Sequence, residues 1–155
     1  MTDAKKISIY IDADACPVKE EALKVAYRHG LPTFLVSNQW LRIEVGPQVQ
    51  KIVVSDGADA ADDWIAEHIT EKDIGITADI PLAKRCLDKG ATALGPTGRL
   101  FSEENIGMAM AMRDLNAHRR ETGESRGLNP TFSKADRSKF LEMLEKIVQE
   151  KLRAP

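Results

Sequence analysis

The sequence predicts an α/β domain of three layers, with a mostly parallel central sheet and helices on both of its faces. Short apolar runs recur between segments of helical spacing, which is the pattern of alternating strands and helices. The first such run, Ile7 to Ile11, is too short for a globular helix and breaks off at Asp12 and Asp14. Gly or Pro punctuates most of the junctions that follow. Strand and helix in alternation call for right-handed crossovers, and hence for a parallel sheet covered on both sides. At 155 residues the chain is long enough to bury a real core within a single domain over 1–155.

Taken in order, Ile7, Ile9, Tyr10 and Ile11 give a buried strand, and Cys16-Pro17 opens a helix with Pro at its first position, where a missing N–H costs little. Val18, Ala22, Val25, Ala26 and His29 share one stripe of that helix, and Gly30 stops it. Leu31 to Val36 forms a second strand ending at Ser37-Asn38. Gln39 to Gln48 is an excursion with an extended piece around Arg42 to Val45. Lys51 to Ser55 is a third strand, followed by Asp56-Gly57 and a helix with Ala58, Ala61, Ile65, His68 and Ile69 on its inner face. Asp73 to Thr77 is a fourth strand, ending at Ala78-Asp79 before a helix that Pro81 opens and Gly90 closes. Ala91 to Leu94 is a fifth strand. Ser102 caps a long helix running through Met108, Met112 and Leu115 towards Arg120, and 121–130 reads as a mobile loop. Ser133 and Asp136 form a capping box for a last helix over 131–155, with Phe140, Leu141, Leu144, Ile147, Val148 and Leu152 in an apolar stripe. That stripe returns to the domain or builds a homodimer through the helix.

Composition narrows the function classes. No apolar run approaches the roughly 20 residues that cross a bilayer, and MTDAKKIS lacks the apolar core of a signal peptide, so a cytoplasmic location is expected. Cys16 and Cys86 fit no disulfide or zinc spacing, and the three histidines are scattered. Charge is uneven: residues 1–112 hold 12 Lys/Arg against 17 Asp/Glu, a net −5, and residues 113–155 hold 10 against 7, a net +3. Arg113, Arg119, Arg120, Arg126, Lys134, Arg137 and Lys139 make this tail a candidate phosphate-contact surface, alongside the reading as a solvated helical face.

The acids carry the chemistry. Three strand ends present them along one sheet edge: Asp12 with Asp14, Asp56 with Asp62-Asp63 beyond it, and Asp79. Each also has a structural explanation, as a helix cap for Asp14 and Asp79 and as a turn residue for Asp56. Carboxylates crowded at one edge repel one another unless a proton or a cation is shared. An oxygen-rich donor set favours a hard ion, Mg²⁺ or Mn²⁺, and suits metal-assisted phosphodiester hydrolysis.

The strings IDADACPVK, DGADAADDWI, TADIPLA and SKADRSKFLEML resemble the YaiI/YqxD family of uncharacterised bacterial proteins over essentially the whole chain. More distantly, a strand ending in Asp12, then Asp62-Asp63, then Thr77-Ala78-Asp79 is similar to PIN-like nucleases, including NYN-type ribonucleases. The resemblance implies a PIN-like domain with metal and catalytic roles for Asp12, Asp62, Asp63 and Asp79. Asp14 departs from the PIN pattern and is a further candidate ligand. The expected activity is Mg²⁺- or Mn²⁺-dependent cleavage of nucleic acid, most plausibly RNA, with Lys19, Asn38, Arg99, Arg119 and Arg120 as substrate contacts. Three alternatives stand beside it. One is a metal- or RNA-binding module without turnover, since few aromatics are available for base stacking. The second is a haloacid-dehalogenase-like phosphatase with Asp12 as nucleophile and Asp14 as general acid. The third is a receiver-like regulatory domain that accepts phosphate at Asp56.

Overall fold

The apolar run after Ser8 becomes the central strand of the sheet. In a computed structural model, which describes residues 7–55, 57, 59–108, 111 and 133–153, five strands pair in parallel. They are β1 (Ile9–Asp12), β2 (Thr33–Ser37), β3 (Val49–Val53), β4 (Ile74–Ile76) and β5 (Thr92–Leu94). Their order is β3-β2-β1-β4-β5. Every residue of β1 is buried, as an interior strand covered on both faces requires.

Four helices supply the cover: α1 (Lys19–His29), α2 (Ala60–His68), α3 (Ile80–Asp88) and α4 (Lys134–Arg153). Ile9 and Ile11 point to the side where Ala22, Val25 and Ala26 of α1 meet Phe140, Leu144 and Val148 of α4. Tyr10 points the other way, into a second core with Ile65 of α2 and Leu82 and Cys86 of α3. The result is the three-layer architecture of helices, parallel sheet and helices, consistent with a PIN-like fold. Among the described residues no helix is long and apolar enough to cross a membrane.

The ends of the elements refine the expectations. α1 begins at Lys19 rather than at Pro17, because the chain first makes a 3-10 turn over Ala13–Ala15 and then an extended step at Cys16. Gly30 closes α1 at φ +63, the left-handed position that only Gly adopts without strain. β3 runs from Val49 to Val53, two residues earlier than its apolar content suggests. It is an edge strand, and Val53 near its end is 48% exposed. His68 is exposed rather than turned into the core; its ring lies on Trp64 at 3.8 Å.

The capping box before α4 forms in both directions, Ser133 N–H to Asp136 Oδ2 at 3.0 Å and Asp136 N–H to Ser133 Oγ at 3.1 Å. Phe140, Leu144, Ile147 and Val148 are buried on the α1 side, each worth roughly 1.5–3 kcal/mol if fully removed from water. These four positions of the stripe therefore pack within their own domain. Ser102 also caps as expected, exchanging hydrogen bonds with Asn105 at the start of a helical stretch over 103–108. The rest of that helix, the loop over 121–130, and Asp56, Arg113, Arg119, Arg120 and Arg126 lie outside the described residues.

One glycine ties the β5 turn to α4. Gly98 has φ +87, and a Cβ there would sit 2.8 Å from the Lys139 carbonyl carbon. Gly98→Ala is expected to lower stability by at least about 2 kcal/mol through strain and overlap. Gly107→Ala, where a Cβ meets nothing within 4 Å, should be neutral or slightly stabilising. Urea midpoints of the two variants check the contrast, and equal midpoints would refute the packing of this turn on α4.

Candidate functional site

The strand order reverses beside β1. From β1 the chain moves outward through β2 to β3, then returns to place β4 on the other flank of β1 and β5 beyond it. α1 leaves β1 for one face and α3 leaves β4 for the other, so a crevice opens between the carboxyl ends of these two strands. Open α/β sheets bind their ligands in such crevices.

Alternation along the strand decides where the acid at this edge points. Asp12 lies two residues beyond Tyr10 and so faces the α2 and α3 side. Thr77, one step past Ile76 of β4, meets it there: Thr77 Oγ1 donates to Asp12 Oδ2 at 2.8 Å and accepts from the Asp79 N–H at 2.9 Å. This hydroxyl is 1% exposed and uses both of its roles. Asp79 caps α3, its Oδ1 accepting from Leu82 N–H at 3.0 Å, with Pro81 in the first turn. The capping explanation therefore holds for one oxygen of Asp79. Among the described residues, its Oδ2 and Asp12 Oδ1 receive no hydrogen bond.

Asp62, in the first turn of α2, completes the group. Burial, then the charges of Asp79, Asp12 and Asp59, push its carboxyl up to about 7, and Arg85 opposes them. Burial also raises Asp12, which is 5% exposed; the Thr77 hydrogen bond works against that, and Asp79 and Asp14 add to it. Three acids from three elements thus raise or share one negative field. Among the described residues none of the three forms an ion pair with Lys, Arg or His.

The other expected site residues are held elsewhere. Asp14 is turned towards the end of β2, where Ser37 Oγ donates at 2.6 Å and Asn38 N–H at 3.0 Å. With its amide nitrogen facing the carboxylate, Asn38 also reaches Asp14 at 2.7 Å. Asp14 thus caps neither α1 nor the 3-10 turn, and Asn38 serves an acid rather than standing free for substrate. Asp63 is next to Asp62 in sequence but about 100° around the helix, and it pairs with Arg85 at 2.8 Å on the surface. Lys19 Nζ donates to the carbonyl oxygens of Cys16 at 3.1 Å and Ala13 at 3.5 Å, bracing the turn after β1 instead of extending to solvent. Arg99 is exposed in the turn after β5, on the same sheet edge. Cys16 and Cys86 are buried thiols, raised to about 11 and about 12 by desolvation, and so are poor nucleophiles.

The donor chemistry of Asp12, Asp62 and Asp79 fits a hard divalent cation. In this arrangement no three His, Cys, Asp or Glu side chains among the described residues converge closely enough to hold one. Closing a shell therefore requires side-chain rotation, which the free Oδ2 of Asp79 and the half-buried Asp62 allow. Sequence reasoning placed these acids on one edge but missed Thr77 as the link between two of them, Ser37 as the partner of Asp14 and Asp59 as a contributor to the field. The Thr-x-Asp spacing before a helix was the available signal for the first.

Comparison with known proteins agrees with this range of shared structure. Residues 10–150 match the family model described as Uncharacterized BCR, YaiI/YqxD family. A UPF0178 protein of Agrobacterium fabrum is 63% identical over 138 residues, covering 89% of this chain and 90% of its own. A UPF0178 protein of Parvibaculum lavamentivorans is 58% identical over 95% of this chain and 97% of its own, and one of Caulobacter vibrioides is 50% identical over 95% and 96%. No solved structure matches the chain. A family match across nearly all of the α/β domain, and relatives this similar over nine-tenths of their length, mean that the chain belongs to the YaiI/YqxD family.

Proposed function

We propose that this protein is a Mg²⁺- or Mn²⁺-dependent hydrolase of phosphodiester bonds, acting on RNA in the cytoplasm. The observation that carries the reading is that Asp12, Asp62 and Asp79 lie within one another's electrostatic field at the strand-order reversal, with no cationic side chain among the described residues paired to them. Asp12 and Asp79 would hold the ion and Asp62 would complete its surroundings. When bound, such an ion neutralises phosphate oxygens and makes water more acidic. The chain itself contributes orientation: Thr77 fixes Asp12 through Oδ2 and leaves Oδ1 facing the crevice, and the α3 cap fixes Asp79 through Oδ1 and leaves Oδ2. Asp62, brought into the field of Asp12 and Asp79 by the first turn of α2, is suited to orient an attacking water beside them.

The other enzyme and regulator readings draw less support. A phosphatase using Asp14 as general acid needs that carboxyl beside the substrate of Asp12, whereas Ser37 and Asn38 draw it towards β2. A receiver-like domain has strand order 2-1-3-4-5, against 3-2-1-4-5 here.

Purified protein with Mn²⁺ is expected to cleave single-stranded RNA, and Asp79→Asn to lower the rate at least about 100-fold. Asn still caps a helix, so the fold should survive, and circular dichroism checks that it does. Undiminished cleavage by the folded variant would sink the proposal.

The acid cluster has a signature without turnover. Asp62 titrates at about 7 in the folded chain against an ordinary 3.8. Between these values the folded state keeps a proton that the unfolded state has lost, so the contribution to stability is present at low pH and falls as pH rises towards 7. In metal-free buffer, Asp62→Asn should remove that decline and raise stability at pH 7 by roughly 1 kcal/mol, well below the full shift because water screens a half-buried group. Melting curves across this pH range measure it. At a hundred times its dissociation constant, Mn²⁺ should add about 2.7 kcal/mol to the wild type and much less to Asp12→Asn; equal gains in both would exclude Asp12 as a ligand.

A further inference from the structure

We infer that Arg99 holds a backbone phosphate of the substrate strand beside the acid crevice, a role that rests on the hydrolase reading above and narrows it to chains of phosphodiesters. An exposed arginine is ordinary on a protein surface. What distinguishes this one is the face it occupies, the turn that fixes it and the state of its guanidinium.

After β5 the chain folds back along the outer edge of that strand. Gly95 N–H donates to the Arg99 carbonyl oxygen at 2.8 Å, Leu94 bridges Leu100 in antiparallel fashion, and Phe101 N–H donates to the Ala93 carbonyl oxygen at 3.0 Å. Phe101 is buried in the core that Tyr10 shares with α2 and α3. Arg99 lies two residues before Phe101 in this extended piece, so its side chain leaves on the same face, the one to which Asp12 turns. Towards the centre of the sheet, the Leu94 carbonyl oxygen accepts from the Thr77 N–H at 3.1 Å, and Thr77 is the residue that holds Asp12. Arg99 therefore stands two strand spacings, about 10 Å, from the end of β4. At that distance it does not neutralise the acids: the leading charges on Asp12 are Asp79 and Asp14, and those on Asp62 are Asp79, Asp12, Asp59 and Arg85. It is placed instead for a phosphate one or two nucleotides along a strand whose reacting phosphate sits at the acids.

The backbone beneath Arg99 is fixed before any ligand arrives. Gly98, at φ +87, seats the turn on α4 against Lys139, and its N–H donates to the Gly95 carbonyl oxygen at 3.0 Å. Asn105 Nδ2 donates to the Leu100 carbonyl oxygen at 2.9 Å, tying the next residue to the Ser102 cap. Other cations around the crevice are engaged by the protein itself, Lys19 by the turn after β1, Arg85 by Asp63 and Arg137 by Glu21. Among the described residues the Arg99 guanidinium has no carboxylate partner. A guanidinium presents a planar fork that matches a phosphate. An isolated phosphodiester bound at the acids leaves that fork empty, whereas a nucleic-acid strand fills it with a second phosphate.

The test follows binding and turnover separately. Full-length protein in EDTA is titrated with short labelled single strands of RNA and DNA across a salt series, read by fluorescence anisotropy. Arg99→Gln is expected to weaken binding by about threefold to tenfold and to flatten the slope of log affinity against log salt by about 0.7, the value of one phosphate on a single strand. Arg99→Lys should keep the wild-type slope, RNA and DNA should behave alike, and melting temperatures should match the wild type. Under Mn²⁺, the loss in kcat/KM caused by Arg99→Gln should be about threefold to tenfold larger on an oligonucleotide than on bis(p-nitrophenyl) phosphate, a diester with one phosphate. Wild-type protein that binds neither strand, a Gln variant with the wild-type slope, equal losses in the Gln and Lys variants, or equal losses on the two substrates would each overturn the inference. A salt slope that depends on Arg99, with no cleavage of either substrate, would leave the phosphate contact standing and end the hydrolase reading. Cleavage by a Gln variant that retains wild-type affinity and slope would do the reverse.

Discussion

A carboxylate at the end of a strand buried on both faces is the constraint from which the rest of this edge follows. Asp12 cannot leave β1 without taking the central strand with it, and it cannot be hydrated in the ordinary way at 5% exposure. Burial raises the free energy of its charged form, and the hydrogen bond from Thr77 offsets only part of that. The same hydroxyl receives the Asp79 N–H, so the solvation of one acid is joined to the backbone position of another. β1 and β4 are thereby coupled at their carboxyl ends through a side chain, beyond the ladder that pairs Ile11 with Ile76.

Neighbouring acids in the sequence part company through simple geometry. Asp12 and Asp14 are two residues apart, which on a continued strand would put them on one face. The 3-10 turn over Ala13–Ala15 breaks that periodicity and delivers Asp14 to Ser37 on β2. Asp62 and Asp63 are separated by one helical step, enough to direct the first towards Asp12 and Asp79 and the second onto Arg85. Of the six acids that sequence reading brings to this edge, three share a field, two are held by structural partners, and Asp56 lies outside the described residues.

The fold was legible because its signals are redundant. Every strand but β3 centres on an apolar run, each helix has a stripe, and Gly30, Ser133 with Asp136 and Asp79 supply ends where the chemistry of caps demands them. What escaped was whatever depended on a partner far away in sequence. Pro17 itself disfavours a helical Cys16, but nothing local reveals that α1 waits until Lys19, and nothing local to Lys51 reveals that it is paired with Leu35 in an edge strand starting at Val49. His68 fits the helical stripe by spacing alone, yet the flat face of Trp64 captures it at the surface.

β4 contains its own control for the meaning of the acid cluster. It is preceded by Asp73, as buried as Asp12 at 5% exposure, but Asp73 is provided for: Ser8 N–H, Thr70 N–H and Thr70 Oγ1 all donate to it between 2.9 and 3.0 Å. An acid recruited to fasten two segments has donors for both oxygens, and this chain builds such a site at the amino edge of the sheet. At the carboxyl edge, a few residues on, it buries Asp12 with one donor among the described residues and sets Asp62 and Asp79 within its field. Stability alone does not account for that difference, because each added charge raises the energy of the others. Departures from good local chemistry concentrate where a protein works. A cation arriving at this edge would reverse the sign of the interaction, turning mutual repulsion into shared attraction.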